Sequence, residues 1–412
     1  MTARNILVVQ GGGPTQVLNT TLAAIVEQAQ EVGVWTRILG SRSGMRGLAF
    51  GNMADLTTLT ARDLAGLRAT PGAALGSSRY KLSEADLDLA AERLSALQVT
   101  DVMLIGGNGT MRAAEALSQH CERIGAAVRV IGVPKTVDND IAATDRCPGY
   151  GSAARYIAQA TSDLGMDVSS LPQPVSILET MGRSVGWLAA AAVGGKRDQD
   201  AAPHVVLLPE NAFVLDRFLG YVDACVRRLG WCVVVAAEGI RDEQGRCVYQ
   251  VEDPAQADAL KRPIPGGVGQ YLAEAVAGSL KLRCRSEKPG LLGRASMQHV
   301  SQQDRADAEL VGREGVRALL EGHTQCMVAL RPLQPGQTAS CELIAFDRIS
   351  AEERHVPAAW ICDEQVPLRP AFLEYLKPLI GELASHAQPR FQDYSLASGS
   401  GTPEREREHV IH

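Results

Sequence analysis

The sequence has few aromatic residues, no long apolar run and no excess of positive charge. Phe, Trp and Tyr make up 4% of its 412 residues, and no stretch reaches the ~18 apolar residues that suggest a membrane-spanning helix. The nine cysteines lie singly, without Cys-x-x-Cys spacing, which argues against zinc and a disulfide framework and predicts small core residues in a reducing compartment. We therefore expect a cytoplasmic protein without a membrane partner.

The charge balance is slightly acidic. Lys and Arg number 41 against 47 Asp and Glu, for a formal net charge of −6. This balance disfavours nonspecific binding to nucleic acid, and no motif of interleaved aromatic and basic residues offsets it. An anionic ligand must therefore be attracted by local clusters of Arg and Lys.

Short apolar runs typical of strands alternate with helical patterns. A first helix is predicted over about 15–32. The predicted strands are 6–9, 36–39, 102–105, 129–133, 175–178, 205–208 and 232–236. Such alternation indicates βαβ units, an α/β fold and mostly parallel sheets, in which ligands lie beyond the carboxyl ends of the strands.

A glycine-rich turn is the first candidate functional segment. Gly106, Gly107, Asn108, Gly109 and Thr110 follow a β-rich run and precede a helical stretch. Glycine lets backbone N–H groups approach an anion closely, and the start of a helix adds a partial positive charge. The segment predicts a phosphate-binding turn.

A second segment brings a cation and two acids to the end of the next strand. It contains Lys135, Thr136, Asp138 and Asp140. Aspartates often serve only to form turns or cap helices, but the adjacent lysine favours phosphoryl transfer. Lys135 would neutralise the transferred group, one carboxylate would accept the alcohol proton, and the other would help to hold Mg²⁺.

These two segments and several others resemble the phosphofructokinase family. The other matching segments are 11–19, 75–79, 144–154, 179–183 and 237–239, and the resemblance fades after about Arg317. It implies two doubly wound, mostly parallel Rossmann-like sheets with the active site in the cleft between them. It also implies a homo-oligomer, a dimer or tetramer, that phosphorylates C1 of fructose 6-phosphate in glycolysis with Mg²⁺ and either pyrophosphate or ATP.

The resemblance also assigns roles to individual residues. Asp138 is the expected catalytic base, with Asp140, Lys135 and Thr136 beside it. The expected donor-phosphate contacts are Gly11, Gly12, Arg79, Gly107, Asn108, Gly109 and Thr110. The expected substrate contacts are Thr136, Met181, Gly182, Arg183, Glu238, Arg283 and Arg294, and the expected metal ligands are Asn108 and Asp140.

Without the resemblance, the residues alone support some of these assignments less strongly than others. Without the resemblance, Met181, Gly182 and Arg183 would indicate ordinary packing at a helix start. Glu238 is expected at the carboxyl end of a buried strand, where a polar residue favours function. The basic group that runs from Lys281 to Arg294 is compatible with either a solvated surface or a phosphate pocket.

The expected division of the chain follows the resemblance. Residues 1–148, with about 293–345, form a donor-phosphate-binding domain. Residues 149–292, with about 346–384, form a sugar-substrate domain. Residues 385–412 are polar, with little apolar content, and predict a mobile tail.

Two residues bear on the choice of donor. Pyrophosphate-using members of the family resemble this chain in having lysine at the place of Lys135, where ATP-using members tend to have glycine. Gly109 favours the opposite choice, because many pyrophosphate enzymes carry Asp there, which obstructs a nucleotide. Since Lys135 adds a contact whereas Gly109 only leaves room, pyrophosphate is favoured and ATP stays the alternative.

The chain departs from the family at several positions. Asn108 replaces an Asp that helps to position Mg²⁺, and Pro174 replaces an arginine that reaches the sugar 6-phosphate across a subunit interface. Leu291 and Gly293 replace further substrate contacts, leaving Arg294 matched. Fructose 6-phosphate is thus the expected acceptor, with another sugar or sugar phosphate as the alternative. A regulatory paralogue without turnover is a further alternative, disfavoured by the intact aspartate pair.

Overall fold

The computed structural model of the protein describes most of the chain. The described residues are 4–78, 80, 82–171, 174–249, 267–333, 337–349 and 353–386. Arg79 and nearly all of the predicted tail at 385–412 lie outside them. Among the described residues, no helix is both long and apolar enough to cross a membrane.

The elements alternate along much of the chain. The strands are β1 (Asn5–Gln10), β2 (Arg37–Ser41), β3 (Met53–Asp55), β4 (Val99–Gly106), β5 (Arg129–Pro134), β6 (Val175–Thr180), β7 (Val205–Leu207), β8 (Ala212–Phe213), β9 (Cys232–Ala237), β10 (Arg241–Asp242), β11 (Cys284–Glu287), β12 (Cys326–Leu330) and β13 (Cys341–Ala345). The helices are α1 (Leu18–Val32), α2 (Gly44–Phe50), α3 (Ala61–Arg68), α4 (Glu84–Ala96), α5 (Asn108–Arg123), α6 (Tyr150–Ser169), α7 (Trp187–Ala191), α8 (Leu215–Leu229), α9 (Val268–Leu280), α10 (Leu292–Ala295), α11 (Gln302–Leu320) and α12 (Pro370–Ile380).

Seven strands form the larger sheet, in the order β13-β12-β5-β4-β1-β2-β3. Its central pairings are parallel, and antiparallel β3 and β13 lie at the two edges. Alternate residues of β1 enter different cores: Ile6 and Val8 pack with α1 and α11, whereas Leu7 and Val9 pack with α4 and α5. Because helices cover both faces of the sheet, the central residues of this strand that point to either face are apolar.

Four strands form the second sheet, in the order β11-β6-β9-β7, and all of its pairings are parallel. One core joins these strands to α6, α8, α9 and α12. Two mostly parallel sheets covered by helices confirm the predicted α/β fold class.

The structure departs from the sequence prediction at element boundaries and in several strands that the sequence did not predict. Helix α1 begins at Leu18 instead of about 15, and α5 begins at Asn108 instead of after Thr110. The sequence did not predict the buried strand β12 or the short strands β3, β8 and β10. It also did not predict β11 or β13, in which partly buried and exposed residues alternate. Edge strands of this kind lack the continuous apolar run that marks a central strand.

Candidate active site

Neighbouring strands bring most of the predicted donor-phosphate residues together. Strands β1, β4 and β5 are adjacent and parallel. Their carboxyl ends lead directly into 11–13, 107–110 and 135–136. The carboxyl ends of three adjacent strands thus meet at the place where the sequence predicted a ligand.

Close packing explains part of the glycine content of these turns. A Cβ at Gly11 would lie 2.4 Å from Oγ1 of Thr110, and a Cβ at Gly106 would lie 2.1 Å from it. Gly12 has a φ of +72°, which favours glycine. A Cβ at Gly109 would meet no atom within 4 Å, so space remains beside the start of α5. Thr110 is buried and therefore holds the two turns together.

Lys135 is buried beneath the glycine turn at 11–13. Its Nζ donates hydrogen bonds to the carbonyl oxygens of Gly11, at 2.8 Å, and Gly13, at 2.7 Å. Burial, with the nearby charge of Arg294, lowers the pKa of Lys135 to about 8, although Asp138 and Asp140 oppose the shift. The structure therefore fixes an ammonium group within the glycine turn, as the binding of a compact anionic donor requires.

The loop after Lys135 holds the two aspartates by backbone geometry. Thr136 Oγ1 accepts a hydrogen bond from the Asp138 N–H at 3.1 Å. Asn139, between the aspartates, has a φ of +55°. Its side chain is buried, donates to the Tyr375 hydroxyl and accepts from the Cys147 N–H. Asparagine tolerates this left-handed conformation better than most residues, and its two bonds fix the turn.

Both aspartates are electrostatically unusual. Burial raises the pKa of Asp138 to about 7, and the charges of Asp140 and Glu238 add to the shift. Burial also raises the pKa of Asp140, with Glu353 as the next contribution. A carboxyl group with a pKa near neutral pH suits a general base. Glu238 follows β9 of the second sheet, so its influence on Asp138 indicates that the two sheet edges face each other.

Asp140 and Asn108 offer oxygen ligands of the kind that Mg²⁺ prefers. The Asn108 amide nitrogen donates to Asp140 Oδ2 at 2.9 Å. Asp140 Oδ1 is a buried acceptor without a hydrogen-bond partner among the described residues. A buried carboxylate oxygen without a partner is costly unless something binds it. The predicted metal residues therefore fit a hard divalent cation.

Parallel strands also assemble the second side of the cleft. Met181, Gly182 and Arg183 follow β6, and Glu238 follows the adjacent β9, as predicted. The Gly239 N–H bonds to the Gly182 carbonyl at 3.1 Å. Gly182 has a φ of +133°, and a Cβ there would lie 2.5 Å from the Val185 carbonyl oxygen. Glycine is therefore required at 182, whatever substrate the loop binds.

Glu238 is a partly buried acidic group on this side. Burial raises its pKa to about 7, while the charge of Lys288 opposes the shift and that of Glu179 adds to it. Lys288 follows β11 and forms an ion pair of 2.8 Å with the buried Glu179. The sequence did not single out Lys288 within its basic group, because only the parallel pairing of β11 with β6 brings it to this edge.

We expect the KM for the acceptor to rise as pH falls below about 7. Protonated Glu238, whose pKa is about 7, can accept fewer hydrogen bonds from a sugar hydroxyl than the carboxylate can. A Glu238→Gln variant should have a high KM that no longer changes across this range. Acceptor kinetics from pH 6 to pH 8.5 measure it, and a wild-type KM that is flat with pH would contradict the role of Glu238.

Two of the three predicted substrate arginines, Arg283 and Arg294, lie far apart in the structure. Arg294 lies against the glycine turn at 11–13, since a Cβ at Gly13 would be 2.6 Å from its Nη1. Its charge influences the pKa values of Lys135 and Asp138. Arg283 precedes β11 and Pro174 precedes β6, both at the amino ends of these strands. Six residues of strand, about 20 Å, separate that end of β6 from Met181, Gly182 and Arg183, which we call the acceptor loop after its predicted role. Neither residue reaches that loop within one chain.

Sequence reasoning missed a group of residues from the C-terminal part of the chain. Arg354 donates its N–H to the Asp140 carbonyl at 2.9 Å, and its guanidinium lies 4.1 Å from the Trp187 ring centroid. Tyr375 bonds to Asn139, and Glu353 contacts the Ser184 hydroxyl. These residues lie beyond the segment that resembles the family, and no local pattern marked them.

A separate buried cluster lies in the second sheet. Potential ligand atoms of His204, Cys225 and Cys232 lie within 4.8 Å of one another. His204 Nδ1 accepts the Val233 N–H at 2.9 Å, and Nε2 lies 3.1 Å from the Asp200 carbonyl oxygen. Because both ring nitrogens have backbone partners, we assign this histidine a structural role.

Comparisons with known proteins agree with the geometry. The family model described as phosphofructokinase matches residues 5–319. The pyrophosphate–fructose 6-phosphate 1-phosphotransferase of Xanthomonas campestris is 35% identical over 389 residues, covering 92% of each chain. The sulfofructose kinase of Alkalicoccus urumqiensis is 36% identical over 323 residues, covering 78% of this chain and 82% of the other.

The solved structures give the same result. The crystal structure of the pyrophosphate-dependent phosphofructokinase from Marinobacter aquaeolei superposes with a TM-score of 0.83 at 31% identity, covering 95% of this chain and 94% of the other. The family model, the relatives and the fold thus lead to one conclusion: this chain belongs to the phosphofructokinase family of phosphotransferases.

Proposed function

We propose that this protein transfers a phosphoryl group from inorganic pyrophosphate to the C1 hydroxyl of fructose 6-phosphate. The observation that carries the proposal is the Lys135 ammonium, fixed within the glycine turn by the Gly11 and Gly13 carbonyls. A buried cation there favours a short, highly charged donor. The open space beside Gly109 keeps ATP as the alternative donor.

Asp138 acts as the base in this mechanism. It takes the proton of the acceptor hydroxyl, whose oxygen attacks the terminal phosphorus of the donor in line, and inorganic phosphate leaves. Lys135 and the start of α5 stabilise charge on the phosphoryl oxygens. Met181, Gly182, Arg183 and Glu238 orient the sugar. Arg294, which lies beside Gly13, would contact the sugar substrate from the side of the donor.

Asp140 and Asn108 would hold Mg²⁺. The cation, when bound, supplies positive charge that neutralises the phosphate oxygens of the donor. The buried Oδ1 of Asp140, which has no hydrogen-bond partner among the described residues, supports this assignment.

A panel of substrates tests the proposed function. Pyrophosphate and ATP are each combined with fructose 6-phosphate, with a sugar sulfonate and with an unphosphorylated sugar. The highest kcat/KM is expected for pyrophosphate with fructose 6-phosphate. A higher value for ATP would reject the proposed donor, and a higher value for another acceptor would reject the proposed acceptor.

Pro174 favours a second candidate acceptor. A sulfonate carries one negative charge, whereas a phosphate monoester carries nearly two at neutral pH, so a sulfonate needs fewer cationic contacts. The relative from Alkalicoccus urumqiensis is named as a sulfofructose kinase. A sugar that bears a sulfonate at C6 is therefore the second candidate.

A Pro174→Arg variant is expected to lower the KM for fructose 6-phosphate, if a neighbouring subunit brings this residue to the acceptor site. A new guanidinium would meet a phosphate that lacks one cationic contact. The gain should be roughly tenfold, less than a well-oriented bidentate contact provides. Arg283, at the same end of the sheet, gives the comparison.

Arg283→Ala should raise the KM if Arg283 already fills this role, and Pro174→Arg should then bring no gain. An unchanged KM in both variants would show that this end of the sheet does not reach the acceptor. Kinetics of both variants with fructose 6-phosphate separate the cases.

The remaining features follow from the same proposal. Residues 1–148, with about 293–345, would bind the donor, and 149–292, with about 346–384, would bind the sugar. The protein would act in the cytoplasm, in glycolysis, as a dimer or tetramer. Light scattering of the purified protein tests the assembly.

A further inference from the structure

The first turn of helix α5, beside which the cation would bind, contains no acidic residue. Position 108 is Asn and position 109 is Gly, so neither contributes a negative charge. Because Asp138 is the proposed base, Asp140 would be the one carboxylate that the turn at 107–110 and the loop at 135–140 offer to the cation. Ligand charge strongly influences the affinity of oxygen sites for divalent cations.

Glu353 approaches this place from a distant part of the sequence. It forms an antiparallel backbone bridge with Ile141, the residue after Asp140, and bridged residues have Cα atoms about 5 Å apart. The next residue, Arg354, donates its N–H to the Asp140 carbonyl at 2.9 Å. The backbone beside Glu353 is therefore fixed against the aspartate loop.

The Glu353 side chain links the aspartate loop to the residue after Arg183. Its carboxylate contacts the hydroxyl of Ser184, which adjoins Arg183 in the acceptor loop. The backbone bridge to Ile141 and this contact with Ser184 place Glu353 where the aspartate loop meets the acceptor loop. Glu353 also lies outside the matched segment 5–319, so the family model does not cover it.

We propose that Glu353 supplies, for the divalent cation of this site, the carboxylate charge that the chain lacks at positions 108 and 109. The inference rests on the proposed function, because it assumes a cation that accompanies a pyrophosphate-like donor. A C-terminal segment thus completes a metal site that the two glycine-rich turns leave short of charge.

Binding of Mn²⁺ in the presence of imidodiphosphate, a pyrophosphate analogue with a nitrogen bridge, tests the inference by electron paramagnetic resonance. Glu353→Gln should raise the Kd for Mn²⁺ about tenfold, the lower end of the range for residues that support a metal site. Adding Asn108→Asp to this variant should restore most of the affinity. Glu364→Gln, which removes an exposed carboxylate from the same part of the chain, is the matched control and should leave the Kd unchanged.

Equal Mn²⁺ affinities in wild type, Glu353→Gln and Glu364→Gln would overturn the inference and leave the proposed donor standing. Equal losses in the two single variants would also overturn it, since the effect would then be one of net charge. A wild-type protein that binds neither Mn²⁺ nor imidodiphosphate would reject the proposed donor, and this inference with it. Melting temperatures of all variants verify that they are folded.

Discussion

An Asp138→Asn variant is expected to lose about 10³-fold in kcat, within the usual range for removal of a general base. Burial raises the pKa of Asp138 to about 7, so near neutral pH a substantial fraction is ready to take a proton. Asparagine keeps the size of the side chain but cannot accept the hydroxyl proton. The KM for pyrophosphate should change little, because Lys135 and the glycine turns remain. Steady-state kinetics measure both constants.

Asp167→Asn is the control for Asp138→Asn. Asp167 is an exposed residue of α6, and the same substitution there should leave kcat unchanged. If Asp138→Asn keeps kcat within about tenfold of wild type, a loss below the range for a general base, another group must take the proton.

A Lys135→Met variant is expected to raise the KM for pyrophosphate roughly 10²-fold, because in the proposed mechanism the buried ammonium would make charge-assisted hydrogen bonds to phosphate oxygens, worth a few kcal/mol. Methionine fills similar space without charge. The KM for the acceptor should change much less. Initial-rate kinetics with each substrate varied in turn measure the two effects.

Lys196→Met is the control that separates an effect on donor binding from an effect on the stability of the fold. The Lys196 ammonium also donates to backbone carbonyls, of Ala201 and Pro203, but it follows α7 in the part of the chain that forms the second sheet. Both variants lose hydrogen bonds that are at least partly buried and should lower the melting temperature. Only Lys135→Met should raise the KM for pyrophosphate. A similar rise in both variants would mean that Lys135 acts on structure alone.

The sequence determined the fold class and the segments that form the donor side. Unbroken apolar runs such as β4 and β5 predict central strands of a sheet covered on both faces, and glycine-rich or polar segments directly after them predict a ligand at that edge. Local patterns suffice there, because each donor segment lies next in the chain to the strand that positions it. For the same reason the sequence placed Glu238 at the end of β9.

Only the tertiary structure decided which distant residues join the site. Strand β11 pairs in parallel with β6, so Lys288 lies beside the acceptor loop and Arg283 lies at the opposite end of the strands. The four residues of β11 are partly exposed, and their sequence does not predict this pairing. Glu353 and Tyr375 meet the aspartate loop through one backbone bridge and one hydrogen bond. Contacts between residues more than two hundred positions apart depend on how whole layers pack, and no local periodicity encodes them.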